Sequence, residues 1–198
     1  MTALVLASAS LSRARLLQAA GLAASVDPAD LDEAAVKTSM AGDGRSAENT
    51  ALALAVLKAQ AVSLRHPGAL VIGGDQILDC EGRWFDKPQD MDQARSHLEA
   101  LRGRRHSLAT AVAVVRDGAP LWTHAESVHL TMRAFSPEFL ESYLAMAGDD
   151  VCSTVGAYRL EEHGVQLFEA IDGDHFTILG LPLLPILSYL REQGIVLQ

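Results

Sequence analysis

Three groups of residues in this chain are of types that handle phosphate. Asp75 follows the apolar run Val71-Ile72-Gly73-Gly74, and a carboxylate there is able to hold a hard cation or orient a water. Gly73 and Gly74 are expected to let a ligand come up against the backbone. Twelve residues on, Lys87 stands directly before Pro88, a cation on stiffened backbone that suits phosphate oxygens as a point charge. Near the beginning, "LVLASASLSRARLL" reads as strand, small-residue turn and helix. Ser8 and Ser10 supply hydroxyls there, Arg13 supplies a guanidinium one turn in, and the first N–H groups of the helix face an anion. Each group also has a plainer reading: a solvated acid at a strand end, a turn, a helix cap. The serine turn is not a Walker loop, because the chain contains no GxxxxGK[ST].

Elements that would position these residues follow from the pattern of apolar positions. Ala3 to Ala7 reads as a short buried strand, and Ser10 caps a helix from about Leu11 to Ala20 that Gly21 stops. Residues 25–46 are acidic, polar and broken by Pro28, Gly42 and Gly44, which predicts mostly loop with a short strand. Ser46 opens the clearest helix, "SAENTALALAVLKAQAVSL", with Leu52, Ala55, Val56, Ala59 and Val62 at helical spacing. Lys58 is the single charged residue between Asn49 and Leu64; taken alone, it is either an amphipathic stem reaching water or a cation with a task. A strand from Val71 to Leu78, with Asp75 toward its carboxyl edge, turns at "CEG" into a short return, "RWF". A helix follows from about Met91 to Leu101. Two long extended runs come next, joined by Asp117-Gly118, a strong hairpin signal. Pro137 after Ser136 starts a helix to about Met146, "VQLFEAI" is a late strand, and "LPLLPILSYLREQG" is a last helix. Crossovers and hairpins together give an α/β fold with a mixed sheet and flanking helices.

Composition narrows the function. The 198 residues are 49% hydrophobic and 21% charged, as in an ordinary globular protein. The net charge of −9 and the absence of any Lys/Arg block argue against a nucleic-acid partner. Cys80 and Cys152 are far apart and form no CxxC, which predicts neither a disulfide framework nor a thiolate zinc site and fits a reducing cytosol. The first ten residues read as a core strand rather than a signal peptide, and no apolar stretch is long enough to span a bilayer. The expectation is a soluble, cytoplasmic protein with no membrane partner. The seven histidines show no HExxH, and His124 and His129 fall on opposite faces of one strand, so a histidine metal site is not expected. Trp84 in the "RWF" return suits packing or stacking on a base.

"ASASLSRARLL", "VIGGDQ", "DKP", "GAY" and "GLPL", in that order and at these separations, resemble the Maf-like proteins, nucleoside triphosphate pyrophosphatases once known as septum-formation inhibitors. The likeness runs from Leu4 to about Leu190. It implies a single Maf-like catalytic domain over residues 1–198, two lobes around a central cleft, and a fold related to inosine triphosphate pyrophosphatases. It also implies a divalent metal (Mg²⁺ or Mn²⁺), a homodimer, and hydrolysis between the α- and β-phosphates of a nucleoside triphosphate to a monophosphate and pyrophosphate. Residue by residue, the family's catalytic acid falls on Asp75, which also serves as metal ligand with Glu33. Its phosphate-binding groups fall on Ser8, Ser10, Arg13, Lys58 and Lys87, so the lone Lys58 acquires a task.

Three positions bear on the base. The branch acting on dTTP and UTP carries arginine, threonine and glutamine where this chain has Ser12, Gln76 and Glu161. Gln76 and Glu161 match instead the branch that acts on 7-methyl-GTP, and a carboxylate suits the N1–H and amine of a guanine. Ser12 departs, because that branch usually carries tryptophan there, and stacking on a cationic base is then missing. "FDKP" also departs, with Asp86 in place of the usual glycine. The expectation is a modified or ordinary purine triphosphate. Rival readings are a nucleotide sensor of septation without turnover, an inosine/xanthosine triphosphate cleaner, and a phosphatase releasing single phosphates.

Overall fold

A computed structural model describes residues 2–197. The chain forms two compact units. One comprises residues up to Gln76, Thr110–Glu126 and the stretch from Asp174 on; the other comprises Ile77–Ala109 and Ser127–Gly173.

In the first unit, β1 (Leu4–Leu6) lies between β2 (Ala24–Val26) and β3 (Leu70–Cys80) and is parallel to both, with Leu4 opposite Ala24 and Leu70. The order continues through β5 (Arg105–Arg116) to β6 (Ala119–Met132). Asp117 and Gly118 join these two strands with φ of 50° and 79°, the left-handed pair that a two-residue hairpin turn requires. On one face, Leu4, Leu6, Ile72, Val112 and Val114 pack with Leu16 and Leu17 of α1 (Leu11–Ala19) and with Leu183, Ile186 and Leu190 of α7 (Leu183–Glu192). On the other, Val5, Ala7, Val71 and Val115 pack with Ala59 and Val62 of α3 (Ala47–Ser63). The "GLPL" motif leads into the last helix with Leu181 and Leu183 in the core.

In the second unit, β4 (Arg83–Phe85) pairs antiparallel with the end of β3, Leu78 opposite Phe85. β7 (Phe168–Asp172) pairs antiparallel with β6, His129 opposite Asp172. Two helices accompany these strands, α4 (Met91–Leu101) and α5 (Pro137–Ala147), capped by Asp90 and Ser136. Parallel and antiparallel pairs together make the mixed sheet of the expected α/β class.

Three expectations change, and one further helix appears. Residues 25–46 are not mostly loop, because α2 (Glu33–Gly42) occupies their second half. Asp32 caps it, accepting Ala35 N–H at 3.0 Å, and the Ala34-Ala35 start favours helix. "VQLFEAI" is strand only from Phe168, since His163–Leu167 turns as a 3-10 helix. The four-residue α6 (His175–Ile178) was not foreseen. Finally, β3 extends beyond the expected Val71–Leu78 at both ends, to Leu70 and Cys80, which leaves Asp75 mid-strand. The strand runs on to Cys80 because Ile77, Leu78 and Cys80 are buried and Gly73-Gly74 does not break it.

Candidate active site

Asp75 is mid-strand and buried. Its Oδ1 accepts a hydrogen bond from Lys58 Nζ at 2.6 Å, and the same ammonium lies 2.8 Å from Glu33 Oε1. Lys58 therefore joins two carboxylates that are 42 residues apart in sequence. Its side chain is 8% exposed and that of Glu33 44%, so the cluster runs from the interior toward water. Asp75 Oδ2 is buried and has no hydrogen-bond partner among the described residues.

What brings Lys58 to Asp75 is the absence of side chains between their elements. A Cβ at Gly73 would overlap the Ala55 carbonyl oxygen and lie 2.9 Å from Ala59 Cβ. A Cβ at Gly74 would lie 3.1 Å from Arg13 Nε. The space beside this glycine pair is thus filled by α3 and by Arg13. This corrects the expectation that a ligand comes up to the backbone there: glycine serves helix-to-strand approach instead.

Arg13 is buried within the serine turn. Its Nε donates to the Gly180 carbonyl at 2.7 Å and its Nη1 to Ser8 Oγ at 2.9 Å. Burial pushes the guanidinium down from its ordinary value, while the charges of Asp75 and Glu33 pull it back up. Ser8 Oγ also accepts from Ser10 N–H, and Ser10 Oγ caps α1 by accepting from Arg13 N–H. Both hydroxyls are acceptors in these contacts, each retaining its own proton to donate. Ser12 is half-buried in the first turn of α1.

Two cations, Arg13 and Lys58, face two anions, Asp75 and Glu33. As it stands the cluster is charge-balanced, with no surplus to receive a polyphosphate. The same carboxylates, one with a bare buried oxygen, are the hard donors that Mg²⁺ or Mn²⁺ prefers. The residues present therefore fit a divalent ion. Among the described residues no three His, Cys, Asp or Glu side chains form a ready-made metal site, so two carboxylates would leave coordination open to phosphate oxygens and water.

Gln76, next to the catalytic candidate, is half-buried, and its amide nitrogen donates to Thr110 Oγ1, Thr177 O and Ile178 O at 2.8, 3.0 and 3.2 Å.

The second unit carries the other two candidates. Lys87 is exposed between β4 and α4, and Pro88 beside it is buried. Glu161 is not an unopposed carboxylate: it lies 3.7 Å from Arg159 Nε, whose Nη1 also meets Glu162 at 3.0 Å and Asp150 at 3.3 Å. Trp84 donates its indole N–H to Asp79 Oδ2 at 3.0 Å. The "GAY" motif is a tight turn in which Gly156 has φ of 78°, and a Cβ there would meet Leu78 Cδ1 at 2.5 Å and the Tyr158 ring at 2.7 Å. Tyr158 is bonded to His106 Nε2 at 2.9 Å.

Sequence reasoning missed the Gly180 carbonyl and the threonines around Gln76. Gly180 stood in a quoted motif, but a backbone acceptor leaves no residue-type signal. Thr110 lies in an apolar run, where a buried hydroxyl is the one available hint.

Residues 3–193 match the family model described as Maf-like protein. The chain belongs to the Maf-like family. It is 56% identical over 190 residues to a nucleoside triphosphate pyrophosphatase of Paramagnetospirillum magneticum, covering 96% of this chain and 98% of that protein. A protein of the same name from Rhodospirillum rubrum is 50% identical over the whole of both chains. A 7-methyl-GTP pyrophosphatase of Rhizobium etli is 47% identical over 193 residues, covering 98% of this Maf-like chain and 97% of that protein. Among the described residues no helix is long and apolar enough to cross a membrane.

Proposed function

We propose that this chain hydrolyses the α–β anhydride of purine nucleoside triphosphates, modified ones such as 7-methyl-GTP included, releasing a monophosphate and pyrophosphate. Membership of the Maf-like family and the names of its relatives make it a nucleoside triphosphate pyrophosphatase, a hydrolase. The observation that carries the chemistry is the Asp75–Lys58–Glu33 cluster, with Asp75 Oδ2 buried and unpaired. The purine is supported by Gln76 and Glu161 and by two relatives named for 7-methyl-GTP.

In this reading Asp75 accepts the proton of the attacking water. Arg13, rigid between Gly180 and Ser8, holds phosphate oxygens together with the Ser8 and Ser10 hydroxyls. Lys58 neutralises charge as it gathers in the transition state. Lys87, in the second unit, keeps the phosphate-binding role that the family resemblance gives it. Asp75 and Glu33 would hold the divalent cation, which would lower the negative charge of the phosphates and polarise the anhydride. The chain works in the cytoplasm as a homodimer, with neither nucleic acid nor membrane as partner.

A panel of 7-methyl-GTP, GTP, ITP, dTTP, UTP and CTP with Mg²⁺ or Mn²⁺, its products separated, tests this. Monophosphate plus pyrophosphate, fastest from a purine, is the expected result. Diphosphate plus phosphate would make the enzyme a phosphatase. Nucleotide binding without turnover would make it a sensor.

A further inference from the structure

We infer that Thr110 and Thr177 are positioning residues that lock the Gln76 amide with its nitrogen inward and its carbonyl oxygen outward, so that Gln76 reads a hydrogen-bond donor on the base. The inference rests on the pyrophosphatase reading above and deepens it.

Orientation here is decided by chemistry. Gln76 Nε2 has three acceptors within 3.2 Å, and two of them, the carbonyls of Thr177 and Ile178, cannot donate. Turning the amide over would set Oε1 against both carbonyl oxygens. Thr110 Oγ1 strengthens the lock by accepting from Gln76 at 2.8 Å while donating its own proton to Thr177 O at 3.1 Å. Both threonines are wholly buried. Thr177 is held in turn, its N–H donating to Asp174 Oδ2 at 2.8 Å and its hydroxyl shared between Asp174 Oδ2 and Glu126 Oε1. Glu126 Oε2 meets His124 Nε2 at 3.2 Å.

The side chain is thereby spent as a donor. Oε1 has no partner among the described residues, and the residue is half-exposed. A freely rotating glutamine accepts from one base and donates to another; a locked one accepts only. It selects bases with an N–H on the facing edge and penalises those that present a lone pair or nothing.

The test compares ITP, which carries an N1–H donor, with purine riboside triphosphate, which has no N–H on its base. Each is measured on wild type, Thr110→Val and Thr110→Ser. Wild type is expected to favour ITP in kcat/KM by about tenfold. Thr110→Val, which removes the hydroxyl at constant shape, is expected to shrink that preference roughly threefold or more, through a higher KM for ITP. Thr110→Ser keeps the hydroxyl and restores the preference. A wild type indifferent to the two nucleotides overturns the inference, as does an unchanged preference in Thr110→Val. If Thr110→Val does not fold, a preference lost in Thr110→Ser overturns it. Absence of pyrophosphate release from every nucleotide would instead bring down the pyrophosphatase reading, and this inference with it.

Discussion

Lys58 Nζ lies 2.6 Å from Asp75 Oδ1, and the contact depends on a residue that touches neither atom. Gly73 lets the α3 backbone at Ala55 and Ala59 settle against β3, which carries Lys58 from a packed helix to a carboxylate on a buried strand. The glycine sets the distance between the two charged groups.

Gly73→Ala is therefore expected to destabilise the protein by about 3 kcal/mol, the upper range for overpacking a close-packed interior. It should also lower activity more than the stability loss accounts for, because α3 must move away from Asp75. Urea unfolding and kcat, measured on the fraction folded, check both parts.

Lys58→Met separates the two halves of the ion cluster. The variant leaves Asp75 buried with no cation in contact, which costs about 3 kcal/mol at neutral pH. A divalent ion placed on the two carboxylates would replace the missing charge. Millimolar Mg²⁺ or Mn²⁺ is expected to raise the Tm of Lys58→Met by several degrees more than that of wild type. Equal shifts would mean that Asp75 and Glu33 do not hold the ion.

His106 gives the chain an acid-sensitive point remote in sequence from this chemistry. Burial pushes its imidazole down from 6.5 to about 4. Above pH 6.5 it is neutral folded or unfolded, and costs nothing. Between about pH 6.5 and 4 the unfolded chain takes up a proton that the folded one refuses, so stability falls as pH falls, by roughly 3 kcal/mol over the window, and then levels off. His106→Gln, which retains a polar group toward Tyr158, should flatten that part of the pH profile of the urea midpoint. An unaltered profile would assign the acid sensitivity elsewhere.

The parts legible in the sequence were those with a local cause. Ser10, Ser46 and Ser136 cap helices where they were read to, each accepting the N–H three residues on, and Asp117-Gly118 makes its hairpin. Asp75, Arg13 and Ser8 stand out by residue type and spacing, Glu33 and the task of Lys58 come from the family resemblance, and the fold brings all five together in one unit. What stayed hidden was set by tertiary contact. The acidic stretch before Ser46 looked like loop because α2 has no buried residue to give it an apolar stripe. The glycine pair looked like a ligand approach because no sequence pattern says which element will fill the space. Gln76 matches a family branch by residue type, which gives no sign of the three acceptors from later in the chain that its nitrogen meets. Glu161 suits the donors of a guanine by residue type, and the fold sets Arg159 3.7 Å from it.

In the proposed reaction Asp75 drives attack on the α–β anhydride. The most direct measurement compares product formation from 7-methyl-GTP and GTP by wild type and Asp75→Asn at saturating Mg²⁺, with circular dichroism confirming that both are folded. The account predicts monophosphate and pyrophosphate in equal amounts from wild type, and a fall in kcat of about 10²- to 10⁴-fold in the variant. A folded Asp75→Asn that retains wild-type kcat would contradict it.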